Sequence, residues 1–352
     1  KGRAIILKEH QEKALENLEV AKNFDQTNPS IFFAVGASYD RLGNFAKAEE
    51  AYKKAVELIK KHNIKTIITA SPPHSSQLIG LKLKKKFKLK WIADLQDPWT
   101  DIYYYNQLCH SFISSAIDAY YERKVLINAD FIITVSQSIK DIFIRKSDKI
   151  NPQKIHVIPN GYDEDDFKNI PETRNDSFLI TYTGTMNDDY YPIDSFLTAS
   201  ANVAAKGIKI FLRFVGKISP LAKQKIENTS GINYEFIDYV PHEESLKYLM
   251  QADALLLIIP NIQQNEGILT GKLFEYLGSG KKIIGIGPSH GDAAKIINEC
   301  NSGKMFDYNN VPGIETFIKE IITNKQFVPD WEKINKYSRK SQALEIAKLI
   351  EF

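Results

Sequence analysis

From Ile64 onward, short apolar runs alternate with longer stretches of mixed polarity, a pattern that predicts parallel strands separated by helices. Lys65–Ala70 (KTIITA), Lys90–Leu95 (KWIADL), Asp130–Ser136 and Ile155–Pro159 read as four strands before a break at Asn160–Gly161. A second array follows over Asp176–Phe306, with strands at 178–184 (FLITYTG), 209–216 (KIFLRFVG), 233–238 (NYEFID), 253–260 (DALLLIIP) and 282–287 (KIIGIG). Val311–Asn324 reads as a helix and Asp330–Phe352 as a final one. The expected fold class is therefore α/β, with two doubly wound Rossmann-type domains. In such sheets the loops at the carboxyl ends of the strands face the ligand. Here those loops hold His74, Gln96–Asp97–Pro98–Trp99, Ser136 and Asn160–Gly161 in the first array. In the second they hold Thr183-Gly184-Thr185, Gly216-Lys217 and Asp238-Tyr239-Val240-Pro241.

The first 62 residues follow a different period. Ala14, Leu18 and Ala21 recur 34 positions on as Ala48, Tyr52 and Ala55, and Gly2 recurs as Gly36. Phe32, Val35, Gly36, Tyr39 and Gly43 complete a spacing over Asn28–Lys61 that resembles a tetratricopeptide repeat, without the usual proline near its end. This implies antiparallel helices, three over residues 10–60, whose small residues allow close packing. So short an array cannot bury its own faces. It is expected to lean on the sheet edge at Lys65–Ala70, or to take a protein partner.

Composition narrows the class. With 43% apolar and 25% charged residues, the chain is of ordinary globular type. A net charge of +3, with no basic stripe interleaved with aromatics, gives no reason to expect nucleic acid. Cys109 and Cys300 are far apart and make no metal spacing, which fits a reducing compartment. No apolar run reaches the roughly 18–20 residues of a membrane span. The expected location is cytoplasmic, peripheral at a membrane if the basic run Lys82–Lys90 touches one; such runs are otherwise the wet face of a helix.

The richest stretch is Glu266–Gly287 (EGILTGKLFEYLGSGKKIIGIG), a loop, a short helix opening at Thr270–Gly271, and a strand from Lys282. Thr270 is the expected N-cap, and Gly271 lets backbone approach a ligand. The first helical turn offers free N–H groups and the positive dipole end, which favour phosphate. Lys272 sits in that turn, where a cation needs an anion to compensate it. Glu275 lies on the same face, one turn on. An ammonium for a diphosphate and a carboxylate for a sugar diol together suit a nucleotide-sugar. The alternative is a surface Lys–Glu pair on an ordinary α/β unit.

This segment resembles the donor-site signature of bacterial retaining glycosyltransferases of the GT-B fold, in the large family numbered four. Glu275 matches the second glutamate of that signature. Glu266 lies nine positions before it, and Gly267 takes the place expected for the first glutamate. Asn160–Phe167 (NGYDEDDF) resembles the interdomain marker of the same enzymes, and its acidic run is read as no metal site. Trp91–Thr100 (WIADLQDPWT) and Pro72–Ser76 (PPHSS) resemble a branch active in surface-polysaccharide assembly, with Gln96 where an arginine or histidine is usual. Met186–Asp189 replaces the cationic pair of the relatives, leaving more to Lys272 and Lys217. Tyr239 stands where relatives have glycine, before the backbone at Val240 that would read the base.

The resemblance implies a retaining, metal-independent glycosyltransferase with a nucleotide-diphosphate sugar as donor, no cofactor, and a saccharide or lipid-linked acceptor. It assigns chemistry to Asp97, His74 and Glu266, and donor binding to Gly184, Thr185, Lys217, Val240, Thr270, Gly271, Lys272 and Glu275. Turn and packing roles remain open for Asp97 and His74, and Tyr103–Tyr105 could stack on a sugar or pack locally. The expected domains are tetratricopeptide-like helices over 1–62, a partial first Rossmann-like domain over 63–165, and a donor domain over 166–328. A helix over 329–352 would return to the first domain, with a cleft hinged near Asn160–Asp166. The first domain offers only four strands, fewer than the resemblance implies, so a non-catalytic scaffold built on a decayed enzyme is the rival reading. A sugar-nucleotide epimerase of the same fold is a third, and would need further acids and histidines.

Overall fold

The computed structural model describes residues 12, 15–26, 29–42, 44–102, 105, 111–168, 170, 177–187, 190–323 and 327–351. Gly2, Ala14, Asn28, Gly43, Tyr103, Tyr104, Cys109, Asp188 and Asp189 lie outside them. By its contacts the chain forms two units, Lys1–Thr134 with Ile142–His156, and Val135–Asp141 with Val157–Phe352.

In the first unit a helical stretch over 15–24 precedes a hairpin of α1 (Pro29–Arg41) and α2 (Phe45–Lys61). Asn44 caps α2 by accepting from the Lys47 N–H at 3.3 Å. Phe32 packs with Ala55 and Leu58 across the hairpin. The sheet orders β1 (Thr66–Ser71), β2 (Lys90–Leu95), β3 (Phe131–Thr134) and β4 (Ile155–Val157) in sequence. It carries α3 (Ser76–Phe87), α4 (Phe112–Asn128) and α5 (Gln137–Arg145) between its strands.

Ile59 of α2 packs with Leu83, Leu89 and Ile67, so the hairpin does lean on β1. It covers less than the sequence leads one to expect. Successive side chains on a strand point to opposite faces, and the hairpin covers the Ile67 side while Ile68 and Ala70 stay exposed.

The loop after β2 is anchored from within. Glu122 of α4 is 1% exposed, and its Oε1 accepts from the Trp99 N–H at 2.9 Å. Its Oε2 accepts from Thr100 Oγ1 at 2.6 Å and from Lys146 Nζ at 2.7 Å. Lys146 also pairs with Asp101. One buried carboxylate thus holds Trp99–Asp101 at the head of the sheet.

The second unit is a fully parallel six-stranded sheet in the order β10-β9-β8-β5-β6-β7. Its strands are β5 (Phe178–Thr183), β6 (Ile210–Val215), β7 (Asn233–Ile237), β8 (Ala254–Ile258), β9 (Lys282–Ile286) and β10 (Gly303–Phe306). The helices between them are α6 (Asp194–Ala204), α7 (Pro220–Glu227), α8 (His242–Gln251), α9 (Gly271–Ser279) and α10 (Asp292–Glu299). From β5 the chain winds outward to β7, then returns beside β5 as β8 and winds the other way. That reversal is the topological switch point at which such sheets bind ligands. All five β8 residues, ALLLI, are buried, as both-sided cover of a parallel strand requires. β10 escapes the hydrophobic pattern because it has four residues, opens on glycine and exposes Lys304.

After α11 (Val311–Thr323), the expected last helix is broken into α12 (Trp331–Ile334) and α13 (Arg339–Glu351). The break lets the Tyr162 N–H donate to Tyr337 O at 3.1 Å, while the Arg339 N–H donates to Tyr162 O at 2.8 Å. Gln342 Nε2 donates to Asn160 O at 3.0 Å. Gly161 fits there because a Cβ would meet Tyr337 O at 2.5 Å. The described contacts of α13 thus fasten the Asn-Gly segment inside the second unit.

Removing Glu122 would leave the buried Trp99 amide without its acceptor and Lys146 with Asp101 as its remaining carboxylate. Glu122→Ala is expected to cost about 1–3 kcal/mol, the scale for a buried donor left unsatisfied. Thermal unfolding with a near-ultraviolet aromatic signal measures it, and an unchanged midpoint would contradict the anchoring role.

Candidate functional site

The site at the switch point is built on α9. Thr270 is its N-cap, yet no side-chain hydrogen bond closes the helix. Its buried Oγ1 has no hydrogen-bond partner among the described residues. A Cβ on Gly271 would meet nothing within 4 Å, so the helix start opens onto free space. The uncapped first-turn amides and the dipole end face that space with net positive character.

Lys272 lies one residue further on and is mostly buried. Its Nζ donates to Tyr182 Oη at 2.6 Å and sits 4.3 Å from that ring's centroid and 5.7 Å from the Tyr191 ring. Burial pulls its pKa down to about 8, with the Glu275 charge opposing. Among the described residues it makes no ion pair; Glu275, on the same face, turns elsewhere. The surface Lys–Glu pair that the sequence leaves open therefore does not form.

Gly184 supplies the room for this ammonium. Its φ is +108°, and a Cβ there would lie 3.2 Å from Lys272 Nζ. Gly216, at φ +118°, lets β6 close in, since its Cβ would meet Gly184 O at 2.4 Å. The Gly184 N–H, however, donates to Val215 O at 2.8 Å. Gly184, expected to bind the donor, therefore offers it no amide: the N–H is spent on the strand ladder, and the residue contributes space. Thr185 is exposed beside it, and its carbonyl accepts from Tyr182 Oη at 2.7 Å. Tyr276, one turn beyond Lys272, is fully buried, and its hydroxyl accepts from the Thr183 N–H at 3.1 Å. Two side chains of α9 thus pin the end of β5. The sequence reading singles out neither tyrosine; the only signals are Tyr182 in an otherwise aliphatic strand and Tyr276 four residues after Lys272.

Glu275 lies 3.9 Å from His242 Nδ1, and the same imidazole reaches Asp166 with Nε2 at 3.1 Å. Burial raises the Glu275 carboxyl above the usual range, and the Asp166 charge adds to this against His242, Arg339 and Lys272. His242 and Asp166 were not expected at the site. The acidic run has other duties: Asp163 accepts from the Asp165 N–H at 3.0 Å and Asp165 pairs with Lys168 at 2.5 Å. Among the described residues no three His, Cys, Asp or Glu side chains gather as metal ligands.

Glu266 is exposed and meets His290 Nε2 at 3.0 Å. Gly267 is buried, and a Cβ there would meet Ser138 Cβ at 2.9 Å, which explains why no glutamate occupies that position. Lys217 is exposed at the end of β6, its carbonyl accepting from the Met186 N–H at 2.9 Å. Val240 is half-buried, next to an exposed Tyr239.

In the first unit His74 stacks on Trp99, with ring centroids 5.5 Å apart and 16° between planes. Its buried Nδ1 has no partner among the described residues, and burial pulls its pKa down to about 4 against the Asp118 charge. Burial raises Asp97 above the usual carboxylate range and Asp94 to about 6, where a Gln96 hydrogen bond opposes it. Asp94 is a second desolvated carboxyl in the same run, which the sequence reading passed over as a strand residue.

Comparison with known proteins bears on the fold. The sequence model of Glycosyltransferase Family 4 matches residues 26–166, less than half of the chain and including α1 and α2. A comparison with curated proteins found no match. Sucrose-phosphate synthase from Thermosynechococcus elongatus superposes with a TM-score of 0.57 at 17% identity, over 86% of this chain and 78% of that one. S. aureus TarM, solved with UDP and α-GlcNAc-glycerol, gives 0.55 at 14% identity over 84% of this chain, which spans only 57% of TarM. A Listeria monocytogenes protein described as a UDP-N-acetylglucosamine 2-epimerase gives 0.52 at 13% identity, over 84% and 76%. At these identities the likeness establishes the fold: two parallel-sheet Rossmann-like units of the GT-B type.

The buried His74 has a pH signature. Its folded pKa, about 4, lies below the ordinary 6.5, so the unfolded chain binds the proton more readily. Stability attributable to a neutral His74 is therefore lost as pH falls from about 6.5 to about 4, by up to about 1.4 kcal/mol per unit. Asp94 and Asp97 act in the opposite sense, so the difference between the parent and His74→Gln isolates the effect. Urea unfolding across this range should show that difference shrinking as pH falls; a constant difference would contradict the burial.

Proposed function

We propose that this chain transfers a sugar from a nucleotide-diphosphate sugar to an acceptor, with retention and without a metal ion, in building a bacterial surface polysaccharide or glycoconjugate. The observation that carries this reading is Lys272: a desolvated ammonium at an uncapped helix N-terminus, at the switch point, with no carboxylate partner among the described residues. A diphosphate is the ligand that satisfies the ammonium, the helix amides and the Thr270 hydroxyl together. In glycosyl transfer the departing diphosphate develops charge, and fixed donors aimed at it lower the barrier.

In this reading Lys272 and the amides at Thr270–Lys272 hold the diphosphate, with exposed Lys217 and the Thr185 amide beside them. Glu275, oriented by His242, takes the ribose diol, and backbone near Val240 reads the base. Glu266, or the backbone next to it, holds the sugar. His74, Trp99 and Asp97 belong to the acceptor side: a neutral imidazole against an indole offers a face to a saccharide, and a desolvated carboxyl offers a proton acceptor.

A second reading, a non-catalytic scaffold, draws on the first sheet, which among the described residues has four strands with β1 at its edge, and on Gln96 in place of a cation. It expects no nucleotide binding. An epimerase would also bind UDP, but would convert a UDP-sugar with no acceptor present.

Calorimetry with UDP, GDP and ADP separates the transferase from the scaffold and identifies the base, and incubation of a UDP-sugar without acceptor separates it from the epimerase. Lys272→Ala is expected to weaken nucleoside-diphosphate binding by about 1.5–3 kcal/mol, the scale of a charge-assisted hydrogen bond. Glu275→Ala should weaken nucleoside and nucleotide alike, while the Lys272→Ala penalty should vanish with the nucleoside. Equal affinities for all three proteins would remove α9 from the site.

A further inference from the structure

Helix α4 turns its two carboxylates inward and an apolar stripe outward. Its acidic residues face inward: Glu122 is buried, and Asp118 accepts from Tyr105 Oη at 2.7 Å. Over its first three turns apolar residues face out: Phe112 is 88% exposed and Ile113 70%, with Ile117, Tyr120 and Tyr121 also exposed, while Val125 and Leu126 in its last turn are buried. Ile113, Ile117 and Tyr120 fall at helical spacing, so they form one stripe rather than scattered contacts. Single exposed apolar residues need no explanation, but a contiguous run does.

The surroundings of the stripe are basic. Arg123 and Lys124 continue the outer face, with Lys124 Nζ 5.3 Å from the Tyr120 ring. The first-unit strands advance in one direction, so right-handed crossovers place α3 and α4 on the same side of the sheet, where they pack together. On α3, Lys82, Lys85 and Lys86 are exposed and form no ion pair among the described residues, whereas Lys84 is paired with Asp130. Apolar side chains, interfacial tyrosines and unpaired cations thus share one layer, with the helix's own carboxylates turned away.

We propose that the outer face of α3 and α4 docks on an anionic lipid bilayer, with Phe112, Ile113 and Ile117 entering the headgroup boundary and the lysines meeting lipid phosphates. Charge complementarity selects this occupant over a second copy of the chain, which would present the same cations to themselves. Among the described residues no helix is long and apolar enough to cross a membrane, so the docking is interfacial. Because Glu122 ties α4 to Trp99 and Thr100, docking would fix the loop that carries Asp97 at the lipid surface.

The test uses the full chain with vesicles of phosphatidylcholine alone and of phosphatidylcholine mixed with phosphatidylglycerol. Sedimentation should recover the protein with the anionic vesicles only, and less of it as salt screens the lysines. Ile113→Ser with Ile117→Ser, and separately Lys82→Gln with Lys85→Gln and Lys86→Gln, should each lower the vesicle partition coefficient by about tenfold at an unchanged melting temperature. Equal binding to both vesicle types, or no binding to either, would overturn the proposal. So would a serine variant that melts lower yet binds as the parent does, which would assign the stripe to cover within the chain. A dimer seen by analytical ultracentrifugation that the serine variant dissolves, without vesicle binding, would assign it to a second copy.

Discussion

A lysine ammonium kept from water is the constraint around which the second unit is arranged. Burying a cation is costly unless something compensates it, and among the described residues Lys272 meets a phenol oxygen and two ring faces. Those partners exist because β5 ends in Tyr182, because Gly184 leaves space where a Cβ would crowd Nζ, and because Gly216 lets β6 close behind it. Tyr276 binds the same strand end from below. The arrangement keeps a positive charge poised rather than neutralised, which suits a ligand that brings its own negative charge.

Much of this is readable without coordinates because the physics is local. The strands at 178–183 and 282–286, the helix opening at Thr270 and the break at Asn160–Gly161 all follow from apolar runs and turn residues whose meaning does not depend on distant neighbours. What escapes is settled by contacts far apart in sequence. Nothing near Glu122 announces that it will be buried under Trp99, or near His242 that it will stand between Asp166 and Glu275. The Gly184 amide looks available until β6 takes it. The last helix looks continuous until Tyr162 needs a backbone partner at Tyr337 and Arg339. Gly267, a departure from the expected signature in sequence, becomes a packing requirement once Ser138 lies against it.

The first unit works by the opposite device. There the buried charge is fully paired: Glu122 and Lys146 satisfy one another and the loop they hold. A satisfied network of this kind rigidifies what it touches, and it touches the turn bearing Asp97 and Trp99. Beside it, His74 has a buried Nδ1 with no partner among the described residues and Asp97 is desolvated, so these are the groups that a ligand can affect. Both units thus hold rigid frames around a few groups whose burial is incompletely compensated.

The measurement that tests the central claim most directly is proton uptake on binding. With its pKa near 8, Lys272 is about half protonated at pH 8 in the empty site, and a diphosphate that binds its charged form must draw in the remainder. Calorimetry of UDP binding at pH 8 in buffers of different ionisation enthalpy should therefore report uptake of about half a proton, with none for uridine. Uptake that is zero for UDP, or equal for UDP and uridine, would contradict a diphosphate seated on Lys272.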